Sequence, residues 1–135
     1  RALGLEREVI LTGYVPAADM PLLLAGAEAL VFPSLDEGFG LPLVEAMACG
    51  SVPIVARIRA YHQYLRDGEN ALFVDAEAPE DIGEAMSQAM LDDGLRTRCR
   101  SANPALVRKH EDWVKNALRM EHLYGELIRA RGKAN

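Results

Sequence analysis

The sequence predicts an α/β domain in which a parallel sheet is covered by helices on both faces. Short apolar runs alternate with stretches of helical periodicity, which is the pattern of successive βαβ units. Glycine and proline punctuate the junctions, and the apolar runs are nearly continuous, as strands buried on both faces require. The length of 135 residues suits one domain with a real core and is too short for two.

Taken in order, Glu8 to Tyr14 is the first expected strand, ended by Gly13 and Pro16. Ala17 to Ala27 reads as a helix, with Asp19 near its start and Met20, Leu23 and Leu24 on one side. Ala29 to Phe32 is a second strand, closed by Pro33 and Ser34. Leu41 to Cys49 suits a helix, because Pro42 is tolerated in a first turn and Gly50 stands where a helix should stop. Val52 to Ala56 follows as a third strand. Arg59 to Arg66 reads as a short helix, Asp67 to Asn70 as a turn, and Ala71 to Val74 as a fourth strand. From Pro79 the pattern is helical: Pro79 to Leu91, Leu95 to about His110 with Pro104 interrupting it, and Trp113 to Arg131.

Composition narrows the function. Half of the residues are hydrophobic and 26% are charged, with a net charge of −5. That balance argues against a general nucleic-acid surface or an anionic membrane surface, since both need a concentrated positive field. No apolar run reaches the ~20 residues of a membrane span, and no secretory signal pattern opens the chain. Cys49 and Cys99 give no disulfide framework, so a reducing, cytoplasmic setting is expected, with Cys49 as a buried free thiol near a helix end. His62, His110 and His122 show no metal-ligand spacing and read as surface or packing residues. Arg96, Arg98 and Arg100 form too short a group to be a binding patch. Trp113, Leu118, Leu123, Tyr124 and Leu127 read as the apolar side of the last helix. Residue 1 is arginine, which suggests a piece of something longer.

In open parallel sheets, ligands bind beyond the carboxyl ends of the strands. The loop after Phe32 is therefore the first place to look for chemistry. Gly38 and Gly40 permit a sharp turn and close approach, and the amides of Phe39, Gly40 and Leu41 open a helix whose positive end suits a diphosphate. Glu37 and Glu45 bracket these donors with seven residues between them. Glu45 lies about one turn into the helix and leans back toward its start, so both carboxylates can face one crevice. A carboxylate beside a phosphate site has a use when the ligand is a nucleotide sugar: it can accept both hydroxyls of a ribose diol, or meet positive charge developing at an anomeric carbon. Singly, a Gly-x-Gly is an ordinary turn and two glutamates are ordinary surface; the order Glu-Gly-Phe-Gly-Leu-Pro-x-x-Glu between strand and helix is far more specific.

The run from Phe32-Pro33-Ser34 through Glu37-Gly38-Phe39-Gly40-Leu41-Pro42 and Glu45-Ala46-Met47-Ala48-Cys49-Gly50 to Pro53-Ile54-Val55-Ala56 resembles the E-x7-E region of retaining GT-B glycosyltransferases, family 4 above all. Gly13-Tyr14-Val15-Pro16 resembles that family's G-x-V segment, Asp67-Gly68-Glu69-Asn70 its D-G-x-x-G turn, and Trp113 to Tyr124 its terminal helices. The resemblance implies a Rossmann-like sheet, here a partial C-terminal domain of a GT-B fold over residues 1–135, without the acceptor domain and the first βα units. It implies transfer of a sugar from a nucleoside-diphosphate sugar with retained anomeric configuration, and no metal or other cofactor. Glu37 would be the catalytic carboxylate, set against donor-sugar hydroxyls. The backbone of Gly38, Phe39, Gly40 and Leu41 would hold sugar and diphosphate oxygens, Glu45 the ribose, and Tyr14 and Val15 would lie near the base.

The sequence also departs from the pattern. Gln63 stands where the family often has glutamate, Ala71 replaces a glycine, and Arg57 to Arg66 carries Tyr61, His62 and Tyr64 in place of a small-residue loop. A basic pair that grips the diphosphate belongs to the units not encoded here, and Arg1 and Arg7 read as surface residues, not substitutes for it. Partners expected are a nucleotide sugar and the missing N-terminal acceptor domain, with no nucleic acid. Membrane association of the parent is left open, and exposed apolar surface would suit a homodimer. The fragment alone is expected to be inactive. A nucleotide-sugar epimerase on the same architecture and a non-catalytic nucleotide-binding or interaction module are the alternatives.

Overall fold

The computed structural model describes residues 3–110 and 113–132. In chain order the elements are α1 (Met20–Gly26), β1 (Ala29–Phe32), α2 (Leu41–Cys49), β2 (Val52–Ala56), a short 3-10 helix (Arg59–Gln63), β3 (Leu72–Val74), α3 (Pro79–Leu91), α4 (Asp93–His110) and α5 (Trp113–Gly132). The three strands form one parallel sheet in the order β1-β2-β3. Arg1 lies outside the described residues; Arg7 is exposed.

Side chains alternate across the sheet and build two apolar layers. Val52 and Ile54 of β2 join Leu72 and Val74 of β3 beneath α3 and α4, where Ala85, Ala89, Leu95 and Cys99 close the layer. On the opposite face Val55 and Phe73 meet Leu43 and Met47 of α2 together with Tyr61 and Leu65. Every residue of β2 is buried, as a central parallel strand should be. Pro53 is tolerated there for a specific reason. Val52 N–H donates to Glu28 on the β1 side, so the next position faces β3, and β3 pairing begins only at Ile54 with Leu72. The N–H that Pro53 lacks would have had no ladder partner.

Two glycines fix α2. Gly40 precedes it at φ 72° and Gly50 follows it at φ 84°. At the end of the helix, Gly50 N–H bonds Met47 O and Ser51 N–H bonds Ala46 O, a Schellman closure. A Cβ on Gly50 would stand 3.2 Å from the Arg100 Cα, so the glycine also lets α2 end against α4. Ser51 Oγ then donates to Leu24 O at 2.7 Å and ties α1 to this junction.

Four expectations need correction. The strand expected at Glu8 to Tyr14 does not form: these residues are irregular, and Val9, Ile10 and Leu11 are 54%, 83% and 92% exposed. A strand gains its stability by pairing, and no described segment pairs with this one. Pro104 does not interrupt α4, which runs unbroken because Leu95, Cys99 and Asn103, spaced four apart, all seat on the core. Helix α1 starts at Met20 rather than Ala17. Cys49 is free but only half-buried, its thiol reaching Pro21 O, because it faces α1 across a cleft rather than the core. The apolar residues of α5 lie along one helix and supply the exposed apolar surface that was expected, with Trp113 83% and Leu127 66% exposed. No helix among the described residues is long and apolar enough to cross a membrane.

Candidate functional site

The carboxyl ends of β1 and β2 and the start of α2 meet at one corner of the molecule. Residues 34–39, between β1 and Gly40, make no hydrogen bond with any described residue. Within α2, Leu43 N–H and Val44 N–H are taken by Gly40 O. The amides of Phe39, Gly40 and Leu41 have no acceptor among the described residues, so three donors remain at the positive end of the helix dipole. Phe39 and Leu41 are 51% and 61% exposed, while Gly40 between them is buried against Tyr61, so a ligand can approach this end from the side of its two flanking residues.

One helical turn further, Glu45 lines a cleft of about 510 Å³ together with Tyr14, Val15, Ala17 and residues of α1. The structure thus brings Glu45 to Tyr14 and Val15, from which it is 30 or more positions away in the chain. Ala46 and Met47 are buried against the sheet while Glu45 and Ala48 face the cleft, so the amphipathic register of α2 aims the carboxylate outward. Glu45 has no cationic partner among the described residues. Glu37 does not line this cleft. It is half-buried on the loop, on the side of the α2 start where Tyr61 lies.

Tyr61 is the residue that sequence reasoning set apart without a role. It belongs to the 3-10 helix after β2 and is fully buried in the layer beneath α2. Its hydroxyl has no hydrogen-bond partner, the one such buried side-chain atom among the described residues. A Cβ built on Gly40 would lie 3.1 Å from that hydroxyl oxygen and 3.2 Å from Cε1. Burial, and then the negative charge of Glu37, push the phenol up to about 12. Nothing in the spacing of the segment could have announced this, because the contact with Gly40 joins positions 21 apart.

The neighbouring polar groups are structural. Arg57 is held by Asp67 at 3.1 Å and by Phe73 O at 2.8 Å, while Asp67 also accepts from Phe73 N–H, so this turn braces β3. Gln63 donates to Ala60 O, and His62 stacks on Phe73 with ring centroids 4.9 Å apart. Arg96 and Arg100 pair with Glu28, and Arg98 with Asp92, which spends the arginine group on packing α4. His122 faces Glu126 one turn along α5. No group of three or more His, Cys, Asp or Glu among the described residues is arranged to hold a metal ion.

A short parallel sheet, with glycine-bounded free amides at a helix start and a cleft lined by Glu45 one turn further on, is an open α/β domain of the kind whose ligands sit beyond the carboxyl ends of the strands. Comparison with known proteins makes the class specific. The family model described as Glycosyl transferases group 1 matches residues 1–105, and the chain belongs to that family. It is 30% identical over 125 residues to the D-inositol 3-phosphate glycosyltransferase of Corynebacterium jeikeium, covering 93% of this chain and 30% of that protein. Among solved structures it is similar to the sucrose-phosphate synthase of Thermosynechococcus elongatus, with a TM-score of 0.85 and 25% identity over 94% of this chain and 32% of that one. It is also similar to the C-terminal domain of the group 1 glycosyltransferase LpcC from Francisella tularensis, with a TM-score of 0.72 and 26% identity over 82% of this chain and 57% of that one. The fold is therefore that of a GT-B glycosyltransferase domain. The chain spans about a third of the length of the curated relatives it matches over most of its own length.

Proposed function

We propose that this chain is the donor-binding part of a retaining glycosyltransferase of the family 4 type, which moves a sugar from a nucleoside-diphosphate sugar to an acceptor held elsewhere in the full protein. The observation that carries the reading is the convergence of Glu45, Tyr14 and Val15 on one cleft beside the free amides that open α2. In this assignment Glu45 accepts hydroxyls of the nucleoside ribose, and Tyr14 and Val15 flank the base. The amides of Phe39, Gly40 and Leu41, with Gly38 giving room, meet diphosphate and sugar oxygens. Glu37 faces the donor sugar and stabilises positive charge at the anomeric carbon as the bond to the diphosphate breaks.

The same donors explain how the leaving diphosphate is neutralised on this reading without a metal. Amides fixed at a helix start need no reorganisation as negative charge builds on the departing oxygen. The relatives support a donor-side assignment. Their names give different products, inositol-linked in one and sucrose phosphate in another, while the part they share with this chain is this domain. Sugar transfer also needs donor and acceptor held together with water excluded, so the 135-residue chain by itself should transfer nothing detectable.

Incubating the full-length protein with radiolabelled nucleotide sugars and candidate acceptors tests the reading. Product NMR should show the anomeric configuration of the donor preserved. An isomerised donor with no transferred sugar would instead make the protein an epimerase, and inverted product would remove Glu37 from the proposed role.

A further inference from the structure

The hydroxyl of Tyr61 has no structural task. The ring fills a fully buried site between Leu43, Met47, Val55 and Phe73, and phenylalanine would fill it as well. The oxygen instead gives up its hydration and bonds nothing, an arrangement that folded proteins rarely keep without a use. It is also not placed at random in the core. It abuts Gly40, 3.1 Å from where a Cβ would stand, directly behind the free amides of the α2 start. Glu37, three residues before Gly40, is half-buried, has no hydrogen bond, and has no cation paired with it among the described residues. The loop that carries it, residues 34–39, is not pinned by any hydrogen bond to the described residues.

We propose that Tyr61 is a positioning residue of the donor site: its Oη–H donates a hydrogen bond to the Glu37 carboxylate when the 34–39 loop settles on a bound nucleotide sugar, and so fixes the face that the carboxylate turns to the sugar. The inference rests on the reading of Glu37 as the sugar-facing acid. It joins a buried hydroxyl that abuts Gly40 and has no partner to a half-buried carboxylate three residues before that glycine, which has no protein partner among the described residues. No proton moves in this step; the phenol stays a donor, because burial and the Glu37 charge hold its pKa at about 12, well above neutral pH. Movement of the loop brings the acceptor to the donor, and the buried ring supplies the fixed point. A carboxylate oriented by a phenol presents its other oxygen in one direction, which matters more to the transition state than to ground-state binding.

The test compares Tyr61→Phe, Glu37→Gln and the double variant in the full-length protein, using UDP-, GDP- and ADP-sugars as donors. Tyr61→Phe should leave the melting temperature of the ligand-free protein unchanged or raise it, since it removes an unpaired buried oxygen. Its kcat should fall roughly 10–100-fold, the worth of one hydrogen bond to a charged group, with donor Kd changed less than about threefold. The double variant should be no slower than Glu37→Gln alone, because the hydroxyl then has no carboxylate to orient. Turnover of Tyr61→Phe within about twofold of the parent overturns the inference, as does a fully additive loss in the double variant. A marked drop in melting temperature also overturns it, by showing that the hydroxyl is already bonded in the free protein. If the unmodified protein transfers no sugar from any of the donors, the functional reading itself fails and takes this inference with it. Normal transfer with an indifferent Tyr61→Phe removes only the role of the hydroxyl.

Discussion

Replacing Gly40 by alanine tests the geometry at the start of α2 more directly than any change to a carboxylate. Gly40 has φ 72°, a conformation that costs a residue with a Cβ about 1–2 kcal/mol. The added methyl would also stand 3.1 Å from the Tyr61 hydroxyl and 3.2 Å from its ring edge. Tyr61 cannot retreat, because it is fully buried against α2 and the sheet, and overpacking of this kind costs about 1–3 kcal/mol. Alanine stiffens the unfolded chain and returns about 0.4–1 kcal/mol. The expected net destabilisation is about 2–4 kcal/mol, read from urea unfolding of the 135-residue chain by far-ultraviolet circular dichroism. Gly38→Ala is the internal control: a Cβ there meets nothing within 4 Å and its φ is ordinary, so it should stay within about 0.5 kcal/mol. Repeating Gly40→Ala in a Tyr61→Leu background should recover the packing part and leave the backbone part. A Gly40→Ala variant no less stable than Gly38→Ala would refute the description of this corner.

Glu45→Gln in the full-length protein should keep the fold and weaken nucleotide binding roughly 10–100-fold, from the ~1.5–3 kcal/mol of a charge-assisted bond, and unchanged calorimetric binding would reject the ribose role. Asn103 is fully buried, donates to Asn70 O at 3.0 Å and accepts from Asn70 Nδ2 at 3.0 Å, so Asn103→Leu should cost about 2–3 kcal/mol in the same urea assay by stranding its partner. Alkaline stability should fall from about pH 9 upward. The Cys99 thiol is pushed by burial from 9.0 up to about 11, and the Tyr61 phenol from 10.0 up to about 12. The folded state holds both protons longer than the unfolded chain does, so unfolding gains ionisation energy as pH rises through that window. For Cys99 the loss is on the order of 2–3 kcal/mol between pH 9 and 11. Cys99→Ala, whatever its effect at pH 7, should flatten that part of the profile; an unchanged slope would show that the thiol is not the group responsible.

Local signals made much of the fold legible. Pro42 and Gly50 set the ends of α2, Pro79 set the start of α3, and the apolar runs Ala29–Phe32 and Val52–Ala56 became strands at the residues expected. What failed depended on distant partners. The run from Glu8 to Tyr14 has the composition of a strand, yet a strand is stabilised by the backbone beside it, and apolar character alone left Val9 to Leu11 in solvent. At Pro104 the error had the opposite sign. A proline removes one helical hydrogen bond, but the buried stripe of Leu95, Cys99 and Asn103 holds α4 to the core on the turns leading to it. The site divides the same way. Helix register foretold that Glu45 turns away from the sheet, and only the family resemblance set Tyr14 near the same ligand; the crevice expected to be shared by Glu37 and Glu45 is lined by Glu45 and not by Glu37. The Tyr61 contact with Gly40 depends on how the segment after β2 folds back under α2, and no short-range pattern encodes that.

Electrostatics explain why the donor half of such a site should hold its ligand loosely on its own. A diphosphate carries about two negative charges, while a helix start offers the equivalent of roughly half a positive charge. Arg57, the cation nearest in sequence to the end of β2, is committed to Asp67 and Phe73 O, and Arg96 and Arg100 are committed to Glu28. Glu37 and Glu45 add negative charge beside the amides, which a bare phosphate would oppose and a sugar diol would accept. On the proposed reading, the site should therefore favour the hydroxyl-bearing ends of a nucleotide sugar over inorganic diphosphate. Tight binding then requires positive groups and a covering surface from the rest of the protein. On this argument the chain alone should prefer a nucleotide sugar to diphosphate, and both should bind weakly. A chain that bound diphosphate more tightly than the nucleotide sugar would mean that the amides, not the carboxylates, govern recognition.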